Sequence, residues 1–275
     1  MKNLKRIKFS IIILLHAVAL GAWAQTSVTT ENELRTAVQN GGNVTLGNNI
    51  ELSDQLEIAS GKTVTIDLNG KTLSRSVSSH TRDGNVIWVN GGSLTIDDSS
   101  GNNSGVISGG MAYNGAGINV ASGGSLTFNS GTISNNKVSR YTDGKEGRGG
   151  GIMVYENATL TITGGVFDGN TAYQGGAVYI MNGATATIMG GTFRNGGASG
   201  EGGAIWSDGT LNIQGAVSIT GNKGSNGQDD NVYLTNGKVI NITGSLTGSS
   251  IGVCFSNYNR KFTSGYSLYN SNILR

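Results

Sequence analysis

The sequence predicts an all-β fold: a single-stranded parallel β-helix of about seven turns, right-handed because left-handed crossovers between parallel strands are rare, with a short N-terminal capping helix and a C-terminal cap. Three observations carry that reading: the composition, a repeat of three short strands, and ends that leave the repeat. Of 275 residues 46 are Gly and none is Pro, while charged residues make up 13% and hydrophobic residues 36%. So much glycine excludes an ordinary helical enzyme domain, and a collagen would need proline. Frequent apolar-polar-apolar triplets exclude a flexible linker.

Residues 1–24 read as an export signal: Lys2, Lys5, Arg6 and Lys8 open it, Ile11 to Leu20 is mainly apolar, and Ala22-Trp23-Ala24 is a small-residue cleavage site. Removing its four positive charges leaves 15 basic against 17 acidic residues, a net of −2, so the basic pI belongs to the signal. No nucleic-acid footprint remains. Past the signal no apolar run approaches a membrane span. Residues 25–43 are expected to form the N-terminal cap, because Thr30-Glu-Asn-Glu33 is a capping-box pattern and Leu34, Ala37 and Val38 share one helical face.

The repeat occupies 44–250. Its first strand recurs as Gly84-Asn-Val-Ile87, Gly115-Ala-Gly-Ile118, Gly149-Gly-Gly-Ile152, Gly175-Gly-Ala-Val178, Gly202-Gly-Ala-Ile205 and Asp229-Asp-Asn-Val232. The fourth position is always Ile or Val, at spacings of 31, 34, 26, 27 and 27 residues. A second strand follows as Leu94-Thr-Ile96, Leu126-Thr-Phe128, Leu160-Thr-Ile162, Ala186-Thr-Ile188, Leu211-Asn-Ile213 and Ile240-Asn-Ile242. The third is centred on Ile107, Ile133, Phe167, Phe193 and Ile219, and the unit starts earlier as Leu56-Glu-Ile58, Val64-Thr-Ile66 and Leu73. Period 2 turns Ile118 and Val120 inward and Asn119 outward. Glycines turn the corners. Residues 251–275, with Phe255, Tyr258, Phe262, Tyr266 and Tyr269, break the pattern and are expected to close the far end.

Gly175-Gly-Ala-Val178 and Gly202-Gly-Ala-Ile205, with Phe167-Asp-Gly-Asn170, resemble the GGA[ILV] and FxxN tetrapeptides of chlamydial polymorphic outer-membrane proteins. The likeness covers about 115–222 and implies a right-handed, pectate-lyase-like β-helix serving as a surface passenger in adhesion or host contact. The sequence departs from that pattern at Gly151, at Ile133 and Ile219, and after Phe193, where Gly196 replaces Asn.

Catalytic, metal and cofactor sites are not expected. Cys254 is alone and reads as a small buried apolar residue. Asp97-Asp98 and Asp229-Asp230 are the adjacent acidic pairs, and such neighbours belong to turns. His80, the one His past the signal, reads as a solvated loop residue.

Two surfaces are candidate binding sites. One is the outward fifth position of strand one, Trp88, Asn119, Met153, Tyr179, Trp206 and Tyr233, an aromatic ladder fit for sugars or a protein partner, or for stacking alone. The other is the edge formed by the loops after strand three, which hold 15 of the 19 charged side chains between residues 74 and 230. Arg140, Tyr141, Lys145 and Arg148 lie in the longest of these loops, and loops on a rigid scaffold are where recognition usually resides. The function expected is an exported, non-catalytic, adhesin-like module recognising glycan or host protein. The alternatives are a carbohydrate-active lyase or glycosidase and a structural spacer.

Overall fold

The chain is a parallel β-helix. The computed structural model describes residues 25–139, 147–254 and 261–265. The first strands of the repeat stack into an eight-stranded face. The second and third strands form two further faces, joined into one 16-stranded sheet by the long strands Thr185–Arg194 and Thr210–Ile219. All pairings between these strands are parallel, and each strand pairs with its counterparts in the neighbouring turns.

Side-chain alternation places the core as expected. Ile87, Ile118, Ile152, Val178, Ile205 and Val232 pair in register along the first face, and each is fully buried. Burying one such side chain stabilises the fold by roughly 1.5–3 kcal/mol. The third face adds Leu73, Ile107, Ile133, Phe167, Phe193 and Ile219, again in register and buried. Phe167 and Phe193 stack with centroids 4.4 Å apart and planes 4° from parallel, because like side chains one strand spacing apart have no other way to fill the interior.

The GGA tetrapeptide has a steric basis. Gly175 has φ +66°, and a Cβ on Gly176 would stand 2.2 Å from the Gly203 carbonyl oxygen of the next turn. Backbone therefore lies against backbone at this corner, while Ala177 and Val178 turn into the core. The FxxN asparagines are buried too. Asn170 Oδ1 accepts from the backbone N–H (3.1 Å) and Nδ2 (3.0 Å) of Asn136, and its own Nδ2 donates to the Ile133 carbonyl at 2.7 Å. Asn222 repeats the device, accepting from Gly196 N–H at 2.9 Å and donating to the Phe193 carbonyl at 3.0 Å. The departure at Gly196 follows from space, since a Cβ there would lie 2.4 Å from the Gly203 carbonyl oxygen.

The helix spans Glu31–Asn40, with the capping box formed reciprocally between Thr30 and Glu33 and with Leu34 and Val38 buried over the end of the core. Four features exceed the expectation. Thr26–Val28, Gly42–Leu46 and Ile50–Glu51 add a partial turn before Leu56. Met111–Ala112, Lys137–Val138, Thr171–Ala172 and Gly197–Ala198 form a small parallel sheet within what read as loops. Ala112, Ala116, Val138 and Ala172 give that edge its own apolar cluster. Ser250–Ile251 and Val253–Cys254 continue the faces into the segment read as a cap.

Candidate binding faces

The outward positions of the first face are in register from Trp88 to Tyr233, and the ladder forms. Tyr179 and Trp206 stack at 4.4 Å and 6°, and Trp206 and Tyr233 at 6.3 Å and 15°. The rings are not solvent-facing as expected: Met153, Tyr179 and Trp206 are only 1%, 4% and 9% exposed. They cover one another at strand spacing, Tyr155 and Met181 pack beside them, and the Arg148 guanidinium lies 5.1 Å from the centre of the Tyr179 ring. Asn119 interrupts the apolar run, so Trp88 stands apart from it. Tyr233 and Trp88 remain half-buried.

A polar column runs beside the rings. Arg148 bridges Asn114 and Gln174 through backbone pairing, and Gln174 Nε2 donates to Glu201 at 3.2 Å. Asp230 accepts from Gly202 N–H at 3.0 Å. Among the described residues, the buried polar atoms on this side without a hydrogen-bond partner include Asn119 Oδ1, Gln174 Oε1, Trp206 Nε1 and Asp230 Oδ1. Burial raises the Asp230 pKa. A cavity of about 420 Å³ opens at this end, lined by Glu201, Asn226, Gln228, Asp229, Asp230 and Cys254. Cys254 pairs opposite Tyr233, so it points outward and is half-buried rather than buried as expected.

On the loop edge, Arg140, Tyr141 and Lys145 lie outside the described residues. Arg75 is a fastener: its Nη1 donates to the Asp83 and Asn85 carbonyls. His80 is half-buried, and its pKa is lowered by burial and by Lys137. The acidic pairs serve turns or ion pairs. Asp98 accepts from the N–H groups of Gly70 and Gly105, both at 2.8 Å, and Asp229 pairs with Lys223 at 2.6 Å. Burial pushes the Asp98 carboxyl up, but hydrogen bonds from Ser100, Gly105 and Gly70 outweigh it and hold the pKa below the ordinary value. Among the described residues, no three His, Cys, Asp or Glu side chains gather as a metal-binding group.

A third surface was not singled out in the sequence, although its residues were in view. Two of the outward columns of the second face carry hydroxyls, and the next outward position holds Asp67 and Asp97. Thr63, Ser93, Ser125, Thr159, Thr185 and Thr210 make one, and Thr65, Thr95, Thr127, Thr161, Thr187 and Asn212 the other. All are exposed or half-buried, and only Asn212 lacks a hydroxyl. The signal was the recurrent Thr inside each Leu-Thr-Ile triplet.

Compared with family models, curated proteins and solved structures, the chain matches none. Its class rests on its own geometry: a parallel β-helix with three separate outward faces.

Proposed function

We propose that the protein is an exported, non-catalytic binding module, adhesin-like in the manner its repeats suggest, which takes a glycan or a host protein along the outer side of the first face. The observation that supports this most is a stacked aromatic run that ends in the half-buried Tyr233, beside the cavity lined by Glu201, Gln228 and Asp230. A ligand lying over the Tyr233 end meets the exposed part of that ring and the polar groups of the adjoining cavity together, as sugar and protein partners require. Asp98 and Arg75 are committed to structural bonds, which takes both out of any catalytic role. Export and surface display belong to the same proposal and rest on the signal-like residues 1–24.

The test is a screen of residues 25–275 against immobilised glycans and extracellular matrix proteins, with absorbance of unsaturated sugars recorded alongside. Binding that Tyr233→Ala weakens at least tenfold, without product release, is the expected result. Product release, or binding indifferent to Tyr233, overturns it.

A further inference from the structure

We propose that the hydroxyl face, the two threonine-rich columns on the outward side of the second face, binds ice. Its two columns run through six successive rungs from Thr63 and Thr65 to Thr210 and Asn212. Hydroxyls therefore repeat at ~4.8 Å along the solenoid and at roughly 6.7 Å across it, over a length of about 24 Å. Every strand between the ends is paired on both sides, and threonine has a restricted χ1, so the array is ordered before any ligand arrives.

The chemistry of the face selects the partner. Neither column holds a charged residue, and the carboxylates at the next outward position, Asp67 and Asp97, repel rather than attract nucleic acids and anionic lipids. Neither holds an aromatic ring, Met or Arg, the groups that stack on sugars and anchor protein interfaces. What remains is an uncharged lattice of short hydroxyl and methyl groups, complementary to a partner that is itself uncharged, periodic and made of hydrogen-bonding oxygens. Crystalline water is such a partner.

The energetics point the same way. A single threonine gains almost nothing by exchanging liquid water for ordered water, because the hydrogen bonds on the two sides nearly cancel. Many such contacts made at once by a rigid array add up, as the ordering cost is met once for the whole face. The hydroxyls already act on one another in places: Thr159 Oγ1 donates to Ser125 Oγ at 3.0 Å, and Asn212 Nδ2 to Thr187 Oγ1 at 3.3 Å. The face is also imperfect, since Ser93 and Ser125 lack the methyl that their neighbours in the column present. That defect makes a gain of function testable.

The experiment uses residues 25–275 in slowly grown ice and in a recrystallisation assay. The protein should be enriched in the ice fraction relative to a soluble control protein, and should keep ice grains small. Thr127→Arg with Thr161→Arg, at the centre of the face, should lower that enrichment at least tenfold with an unchanged melting curve, whereas Ser78→Arg on an exposed loop should not. Ser93→Thr with Ser125→Thr should raise it severalfold. Exclusion of the wild-type chain from ice overturns the proposal. So does an arginine pair that folds and still partitions, or a completed column that gains nothing. Retention on powdered chitin or cellulose, lost in the arginine pair without any ice enrichment, assigns the face to a polysaccharide and also overturns it. None of these outcomes depends on the ligand of the aromatic side.

Discussion

Replacing Asn170 by Ala tests whether the buried asparagines hold the corner after the third strand. Three hydrogen bonds go with the side chain, two accepted from Asn136 and one donated to the Ile133 carbonyl. At roughly 1 kcal/mol of net stabilisation each, the loss is about 3 kcal/mol. The two ends of the network fare differently. Asn136 Nδ2 keeps the Ile107 and Ser134 carbonyls, at 3.2 and 3.0 Å, whereas Asn136 N–H loses the acceptor it had. Stranding that buried donor keeps the cost at the upper side of the figure rather than the lower. The assay is urea unfolding followed by far-ultraviolet circular dichroism, with Asn236→Ala as the comparison, because Asn236 is an exposed turn residue outside the left-handed region. A loss under about 1 kcal/mol for Asn170→Ala would refute the argument, because that is the range of an ordinary surface substitution with about 0.5 kcal/mol to spare.

The remaining predictions concern the core, the rings and the acidic groups. Ile152→Asp should prevent folding, because an unpaired charge in the dry core column costs several kcal/mol, and a native dichroism spectrum would contradict the register. Trp206→Ala should destabilise by about 3 kcal/mol, since the ring is packed between Tyr179 and Tyr233; an unchanged urea midpoint would mean the stack carries no stability. The folded-state pKa of Asp98 is depressed, so its contribution is present above the ordinary value of about 4 and is lost as pH falls through the folded value. Acid unfolding should therefore be shallower in Asp98→Asn, measured from pH 6 downward. Asp230 has the opposite sign: its pKa is raised, so the folded state loses stability as pH rises past the unfolded value. Asp230→Asn should raise the melting temperature at pH 7, and a fall would show that the carboxylate is stabilised by its neighbours.

The architecture was legible because a stacked solenoid writes its interior into the sequence. Apart from Ala186 and Ser207, the buried columns between the ends consist of Ile, Val, Leu or Phe at like positions of successive turns, and the capping box at Thr30 announces the helix. The small edge sheet was not legible, since strands such as Met111–Ala112 and Thr171–Ala172 are two residues long and have no period. The partial first turn escaped because it has no strand on the eight-stranded face and hence no Gly-x-x-Ile signature. On the outer surfaces, alternation indicates which side chains leave the core and nothing about what covers them. Tyr179 and Trp206 were placed correctly and misjudged in exposure for that reason. The buried state of Asn136, Asn170 and Asn222 was hidden by the usual habit of asparagine to sit in solvated turns.

The backbone-on-backbone corner at Gly176 sets how such a chain can change in length. Contact there is between one turn and the next and involves no side chain, so a corner accepts any neighbour of the same pattern. A tandem duplication of 26 or 27 residues would insert a complete rung, extend all three faces by the same increment and leave each existing contact intact. Substitution alters one face at a time, whereas duplication scales them together. Avidity on any face of this molecule can thus be multiplied by copying a segment of the gene, with no new contact to be invented.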